Sequence, residues 1–297
     1  MPFDPAIQLN IRFVNRPKTA SINSDGLNIN YLEWGEASSP TLLLLHGFSS
    51  HAHCWDFLSD SLCSKYRVIA LDLPGHGDSE WSKSGYSVKI FRKALASFCD
   101  QMGLESFSLL GISLGGMIGM DFASRYRQRV NKLIIVDAGP KVPNGGRRDQ
   151  IVQFFGGRSH FTSPEDAFAY RRNQEARCIE YMERYLTYYA VKQTGDGTWT
   201  WKYDSLFRNP LLLLLKTRAP NLWECLTDIK CPVLILNGES SPVLKRDDAE
   251  KMAGLIADCK LVTFKDTAHR IHIERPQEFE DEVRAFLQVS RRVESVS

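Results

Sequence analysis

The stretch Gly111-Ile112-Ser113-Leu114-Gly115 is the most informative part of this sequence. It matches the pattern G-x-S-x-G, in which a serine occupies a sharp turn between a strand and a helix. The context agrees, because the aliphatic run 107–110 precedes it and the helical pattern 117–126 follows it. Glycine on both sides of the serine avoids clashes in such a strained turn. The sequence therefore predicts that Ser113 is a nucleophile presented at the end of a strand.

Two backbone amides are candidates for binding an oxyanion beside Ser113. The turn that presents the serine also aims the amide of Leu114 at the developing charge, near the positive end of the new helix. His46-Gly47-Phe48 follows the strand pattern 41–45, and its glycine allows the bend that would present the next amide. We therefore expect the oxyanion hole to consist of the N–H groups of Phe48 and Leu114.

Short aliphatic runs bounded by Gly, Pro and Asp alternate with helix-like stretches along the chain. The runs are continuous, as expected for strands buried on both faces of a parallel sheet. Two further segments, 28–34 and 8–14, alternate between apolar and polar residues and favour antiparallel strands at one edge. This order predicts an α/β architecture with a mostly parallel sheet. The continuous runs are 41–45, 67–71, 107–110, 132–136, 232–236 and 260–264.

The alternation of strands and helices is interrupted between about residues 140 and 229. Ser163-Pro164-Glu165-Asp166 is typical of a helix start with proline at the first helical position, and one long helical pattern follows it through Tyr188. The interrupted stretch carries 14 of the chain's 32 aromatic residues. We expect some of these residues to build the core of a small helical subdomain and others to line a hydrophobic substrate cleft.

Four motifs follow predicted strands in order: HGF at 46–48, DLPGHGDS at 72–79, GISLGG at 111–116 and AHRIHIERP at 268–276. Together they resemble the α/β-hydrolase family over about residues 25–140 and 230–290; the second motif itself is interpreted as a structural loop. The resemblance implies an eight-stranded, mostly parallel sheet flanked by helices, with a serine nucleophile and a helical cap inserted after the sixth strand. It assigns residues 1–139 and 229–297 to the hydrolase core and 140–228 to the cap.

The motif at 268–276 contains two histidines after the last predicted strand. A histidine that follows the nucleophile in chain order suits the general base that takes the proton from Ser113. In the family that the chain resembles, the base is the first of such a pair and an acidic-proline turn follows it, here Glu274-Arg275-Pro276. We therefore predict that His269 is the base and that His272 is a packing or surface residue.

The acid of the triad is where the sequence departs from the family. Most members carry an aspartate three residues after the glycine that follows the seventh strand, and here that position is Ser241. A serine does not stabilise an imidazolium as a carboxylate does. Glu239 lies in the same loop but would have to reach back, whereas Asp137 ends the sixth strand, from which some members take their acid. We predict Asp137 and keep Glu239 as the alternative.

Composition excludes several other classes of protein. The 297 residues include 37 Lys and Arg against 35 Asp and Glu, a balance that argues against a general nucleic-acid binder. The longest aliphatic run, 211–215, is too short for a membrane helix. Seven scattered cysteines suit a reducing compartment, and His51, His53 and Cys54 lack a further ligand cluster that would complete a metal site. We expect a cytoplasmic protein without metal or cofactor that acts on a small molecule.

These features predict a serine hydrolase that cleaves a small apolar or aromatic ester or lactone through an acyl-enzyme on Ser113. A serine rather than an aspartate at the elbow argues against an epoxide hydrolase or a haloalkane dehalogenase. Two alternatives stay open. One is a C–C bond hydrolase of ring-cleavage products, which has similar elbow motifs and caps. The other is a ligand-binding receptor with weak turnover, for which Ser241 is the main support.

Overall fold

A computed structural model describes residues 5–141, 157–174, 177–208 and 221–288 of the chain. Its strands are β1 (Lys18–Ser24), β2 (Leu27–Trp34), β3 (Thr41–Leu45), β4 (Arg67–Leu71), β5 (Phe107–Ile112), β6 (Val130–Val136), β7 (His160–Phe161), β8 (Val191–Gln193), β9 (Trp199–Trp201), β10 (Val233–Gly238) and β11 (Cys259–Phe264). Eight of them form one sheet in the order β1-β2-β4-β3-β5-β6-β10-β11. The expected eight-stranded α/β sheet is thereby confirmed.

Six neighbouring strands of this sheet, β4-β3-β5-β6-β10-β11, run parallel. Each corresponds to one of the continuous aliphatic runs. Their carboxyl ends therefore lie along the same edge of the sheet. β6 and β10 are neighbours, with Val136 opposite Leu236. As a result, Asp137, the first residue after β6, lies beside Asn237 of β10.

The antiparallel edge of the sheet differs from the expectation in one strand. Residues 28–34 do form most of β2, but 8–14 form no strand, and the short helix α1 (Pro5–Gln8) ends where that strand was expected to begin. The edge strand is β1, which pairs with β2 across a turn at Asp25 and Gly26. Most of β1 is exposed, so it is held by backbone pairing and carries little of the apolar alternation that burial imposes.

Helices cover both faces of the sheet. They are α2 (Asp56–Leu62), α3 (Val88–Gln101), α4 (Leu114–Arg125), α5 (Pro164–Arg172), α6 (Glu180–Ala190), α7 (Arg246–Leu255), α8 (Ile271–Glu274) and α9 (Pro276–Gln288), with 3-10 turns at Ala52–Trp55, Ser205–Arg208 and Leu226–Asp228. Buried side chains of α3, α4 and α7 join the core on one face, and those of α2 and α9 join the core on the other. No helix of the described ranges is long and apolar enough to span a membrane.

The described residues between β6 and β10, which we call the insertion, contain two helices and a small sheet. α5 begins as expected, because the Ser163 hydroxyl accepts a hydrogen bond from the Asp166 amide. The single long helix expected after Ser163 is instead divided into α5 and α6. β7, β9 and β8 form an antiparallel sheet in that order, which the sequence did not indicate because strands of two or three residues are too short to show alternation.

Candidate active site

Ser113 lies at the junction of β5 and α4 in a conformation that few residues other than glycine adopt. Its φ is 54° and its ψ is −115°, and its amide donates a hydrogen bond of 3.0 Å to the carbonyl oxygen of Val136. Backbone strain of this kind persists only where the surroundings hold it in place, and it is concentrated at functional sites. The side chain is partly exposed, as the strand-turn-helix motif predicts.

The two glycines around Ser113 are required because backbones approach each other closely here. A Cβ atom on Gly115 would lie less than 3.0 Å from the carbonyl oxygen of Leu45, at the end of β3. A Cβ on Gly111 would come equally close to the backbone of Gly115 itself. Side chains at these positions would push α4 away from the sheet and move the serine with it.

Asp137 and His269 come together beside this turn. His269 Nδ1 lies 2.7 Å from Asp137 Oδ2, and the Asp137 side chain is fully buried. The other carboxylate oxygen, Oδ1, accepts hydrogen bonds from Asn237 Nδ2 at 3.2 Å and from the Gly238 amide at 3.1 Å. An ionised carboxylate only accepts hydrogen bonds, so His269 carries its proton on Nδ1 and leaves Nε2 able to accept another.

Ser241, at the position where the family places its acid, is a direct partner of Asp137. Its hydroxyl donates a hydrogen bond to Asp137 Oδ2, the same oxygen that contacts His269. It also accepts a hydrogen bond of 3.0 Å from the Val243 amide. The alternative acid, Glu239, is exposed, and its carboxylate accepts a hydrogen bond from the Asp266 amide. Of the two acid candidates, the one that contacts His269 is therefore Asp137.

The loop that carries His269 is fixed by a carboxylate of its own. Glu274 accepts hydrogen bonds from the Ala268 amide at 2.8 Å and the Arg270 amide at 3.0 Å. Among the described residues, Ser113 Oγ makes no hydrogen bond to His269. Such bonds are often long in ligand-free enzymes and tighten when substrate binds. The structure thus joins the histidine to Asp137, and the Ser113 amide is hydrogen-bonded to Val136, the residue before Asp137.

The second histidine, His272, is a packing residue. Its ring lies 5.1 Å from the Trp55 ring and 6.1 Å from the Phe279 ring. Burial lowers its pKa well below the ordinary value, and the nearby Arg270 and His269 lower it further. A neutral, buried imidazole of this kind is poorly placed to exchange protons with substrate.

The loop after β3 lies against the serine turn, where the Phe48 amide is expected to act. A Cβ on Gly47 would lie 3.3 Å from the Cβ of Ser113. His46 holds this loop: its Nε2 accepts a hydrogen bond of 2.9 Å from the Leu73 amide, so its Nδ1 donates to the Gly47 carbonyl oxygen at 2.7 Å. Burial lowers the pKa of His46, in keeping with this neutral form. The roles of the Phe48 and Leu114 amides stay predictions.

The loop 72–79 is a structural element, as the sequence indicated. The buried Asp72 carboxylate accepts hydrogen bonds from the Ala52 amide at 2.6 Å, from Asn30 Nδ2 at 2.8 Å and from the Asp78 amide at 2.9 Å. These bonds tie the middle of β2 and the loop after β4 to the segment that follows β3. The carboxylate thereby links three segments of the core through hydrogen bonds.

The histidines near Cys54 make hydrogen bonds within the protein. His51 Nε2 lies 2.9 Å from the Leu186 carbonyl oxygen, and His53 Nδ1 lies 2.8 Å from Asp56 Oδ2. Across the described part of the chain, no three or more His, Cys, Asp or Glu side chains are grouped so that they would hold a metal ion.

Sequence reasoning missed a buried cluster of charges between the insertion and the histidine loop. Glu183, on α6, is fully buried, and its Oε2 accepts a hydrogen bond from Arg270 Nη1, next to His269. Its Oε1 lies 3.3 Å from Arg171 Nε, on α5. The signal was present, because Ile179, Glu183 and Leu186 have the spacing of one helical face, which otherwise carries apolar residues.

A cleft opens between the insertion and the loop after β3. It holds about 320 Å³ of empty space, including its open mouth. Aromatic residues form part of its wall, as one interpretation of the insertion predicted, but two arginines are also present. The lining residues are Ser49, Gly157, Arg158, Tyr170, Arg171, Gln174, Trp201 and Tyr203.

Comparison with known proteins agrees with the fold and the order of motifs. The profile of the α/β-hydrolase fold matches residues 40–276, which is most of the chain. The chain belongs to the α/β-hydrolase family. It is accordingly a hydrolase of this family, as the four motifs in the sequence indicated.

Three similar proteins illustrate the range of this α/β hydrolase's relatives. A 3-hydroxybutyrate-oligomer hydrolase of Cupriavidus necator is 29% identical over 253 residues, which cover 80% of this chain and 86% of the relative. An esterase of Mycobacterium tuberculosis is 24% identical over 272 residues, 87% of this chain and 86% of the relative. The crystal structure of E-2-(acetamidomethylene)succinate hydrolase superposes with a TM-score of 0.83 at 21% identity, covering 92% of this chain and all of that one.

Proposed function

We propose that this α/β hydrolase is a serine esterase in which Ser113 is the nucleophile, His269 the general base and Asp137 the acid. The observation that carries the proposal is the contact of 2.7 Å between His269 Nδ1 and the buried Asp137 carboxylate, beside a serine held at positive φ. The carboxylate fixes the imidazole tautomer and stabilises its protonated form. Both effects are needed to make the hydroxyl of Ser113 nucleophilic.

The reaction proceeds through an acyl-enzyme. Ser113 Oγ attacks the ester carbonyl carbon while its proton moves to His269 Nε2. The N–H groups of Phe48 and Leu114 bind the oxyanion of the tetrahedral intermediate, which then collapses as His269 gives its proton to the departing alcohol. Water, activated by the same imidazole, attacks the acyl carbonyl and releases the carboxylic acid. Asp137 keeps its charge throughout.

The substrate we propose is a small ester or lactone with an apolar or aromatic body, held under residues 140–228 as a cap. Trp201, Tyr203 and Tyr170 in the cleft wall support an apolar contact surface. Two relatives support ester chemistry by what they are, an esterase and an oligomer hydrolase whose monomers are hydroxy acids. The cap and core boundaries given above are part of this proposal.

The structure weakens the argument for a receptor that has lost turnover. That hypothesis rested on Ser241, which was taken to leave the triad without an acid. Ser241 instead donates a hydrogen bond to Asp137, which contacts His269. Position 241 carries no acid, but the carboxylate of Asp137, at the end of the neighbouring strand, contacts His269 instead.

An activity-based probe tests the proposal directly. A fluorophosphonate should label the protein at Ser113, and Ser113→Ala should abolish both labelling and hydrolysis of 4-nitrophenyl esters. Ser108→Ala, a matched change on the same strand β5, should leave both intact. Hydrolysis by the Ser113→Ala variant near the rate of the unaltered protein would refute the serine mechanism. If the mechanism holds, a series of esters of different acyl chain length and of lactones would define the substrate class.

A further inference from the structure

Arg171 is an arginine in the cleft wall whose guanidinium has two neighbours, a buried carboxylate and an aromatic ring. Its side chain is 12% exposed, and Nε lies 3.3 Å from Oε1 of the buried Glu183. The guanidinium carbon also lies 5.5 Å from the centre of the Trp201 ring, within range of a cation–π contact. These two neighbours fix where the guanidinium lies, and Arg171 contributes to the lining of the cleft.

The outer nitrogens of Arg171 make no hydrogen bond among the described residues, in contrast with the other arginine of the cleft. Arg158 uses both Nη atoms on Asp166, at 2.8 and 2.5 Å, and is largely exposed. A half-buried guanidinium with unused donors is an unusual arrangement, because those donors have lost part of their water. Its planar pair of N–H groups matches the two oxygens of a carboxylate.

The cleft lies within reach of the proposed nucleophile. Ser49 contributes to its wall, two residues after Gly47, and a Cβ atom on that glycine would lie 3.3 Å from Ser113 Cβ. Two residues span at most about 7 Å. Tyr170, also in the wall, accepts a hydrogen bond of 3.0 Å from the Arg158 amide, so its hydroxyl proton points elsewhere and is a further donor. An acyl chain of a few carbons would extend from the serine turn into this space.

We propose that Arg171 binds a carboxylate at the far end of the ester substrate. The inference rests on the proposed esterase function and narrows it: the substrate has an apolar body and one anionic end. Glu183 Oε1 lies beside Arg171 Nε as an ion pair, so the two Nη nitrogens are left for the ligand. Because Glu183 also pairs with Arg270, beside His269, the anion site and the histidine loop share one buried carboxylate.

Two esters that differ only in the group at the far end of the acyl chain test the proposal by turnover. The probes are the mono-4-nitrophenyl ester of adipic acid and 4-nitrophenyl hexanoate, which replaces the free carboxylate by a methyl group. We expect Arg171→Gln to lower kcat/KM for the anionic ester about 10- to 100-fold more than for the neutral one, the size of a charge-assisted hydrogen bond. Arg171→Lys should lose part of the preference, because an ammonium lacks the planar fork. Arg158→Gln should change the preference little.

The proposal would be overturned if Arg171→Gln lowered kcat/KM equally for both esters. It would also be overturned if the ratio of kcat/KM between the anionic and the neutral ester were the same in all variants. A second measurement separates this result from a failure of the esterase mechanism. Adipate should raise the melting temperature of the Ser113→Ala protein, and Arg171→Gln in that background should remove the increase. If the unaltered protein shows no turnover and no labelling, but adipate raises the melting temperature only when Arg171 is present, the protein has the anion site and lacks the esterase function. The same increase with and without Arg171 would refute the site.

Discussion

Replacing Asp137 by asparagine tests the proposed acid with little change of shape. The hydrogen bonds of the carboxylate dictate how the amide must orient. Oδ1 accepts from two N–H donors, Asn237 Nδ2 and the Gly238 amide, neither of which accepts a bond in return. The new NH₂ group must therefore replace Oδ2, where it faces His269 and Ser241.

This orientation reverses the hydrogen bond to the imidazole. His269 Nδ1 would have to accept from the new NH₂ group, so the ring would carry its proton on Nε2, the nitrogen that must take the proton of Ser113. We expect kcat/KM to fall about 10⁴-fold, as for the corresponding change in a serine protease. That loss equals about 5.4 kcal/mol of transition-state stabilisation at 1.36 kcal/mol per decade. Ser241 Oγ already accepts from the Val243 and Leu244 amides, so its hydroxyl loses its acceptor, and the free energy of unfolding should fall by no more than about 3 kcal/mol.

The assay is hydrolysis of 4-nitrophenyl hexanoate together with urea unfolding of the same samples. Glu239→Gln is the matched control, since it makes the same chemical change on the exposed alternative acid. A crippled Glu239→Gln enzyme beside an active Asp137→Asn enzyme would show that the acid lies in the loop after β10. If neither variant loses activity, the protein works as a serine–histidine pair and the proposed role of Asp137 is wrong.

Three further outcomes are expected from other parts of the structure. His269→Ala should lower kcat at least about 10³-fold, whereas His272→Gln should leave most of it, and the reverse order in the ester assay would show that the wrong histidine was chosen. Gly115→Ala should lower the free energy of unfolding in urea by about 1–3 kcal/mol, because its Cβ would overlap the backbone of β3; Gly254→Ala, whose Cβ would meet nothing within 4 Å, should stabilise the protein by about 0.5–1 kcal/mol. Unfolding free energy should decrease as pH falls below about 6.5, by up to about 1.4 kcal/mol per unit for each histidine whose pKa is lowered by burial, because only the unfolded chain takes up those protons; a flat profile between about pH 7.5 and 5.5 would contradict this. The histidines concerned are His46, His51, His76 and His272.

The parts of the fold that could be predicted are those where burial shapes the sequence. The parallel strands are buried on both faces, so each appears as an unbroken aliphatic run, and the turn at Ser113 requires glycines that are visible in the sequence. The edge strand Lys18–Ser24 is mostly exposed, and its polar sequence gave no comparable signal. The three short strands of the insertion were missed for a related reason, because pairing rather than alternation defines them.

The candidate site shows a second limit on prediction from sequence. The sequence predicted His269 and favoured Asp137 over Glu239, but the contact between His269 and Asp137 depends on which strand ends are neighbours. That information lies in the pairing of β6 with β10, between residues about 100 apart in the chain. The helical face that Glu183 shares with Ile179 and Leu186 marks it as a buried carboxylate, but its partners Arg171 and Arg270 lie on other segments and are not visible in that local pattern.

The contact between Ser241 and Asp137 has a consequence for how such enzymes diversify. One oxygen of Asp137 receives both the Ser241 hydroxyl and the His269 ring, so the two strand ends reach a single point in space. On the proposed mechanism, a carboxylate arriving at position 241 by one substitution would come to lie beside the same imidazole while Asp137 is still present. During evolution the acid can therefore move from the end of β6 to the loop after β10. The intermediate enzyme carries a carboxylate at both positions and never lacks an acid. A family alignment that scores only the column of Ser241 would class an intact enzyme as a degenerate one.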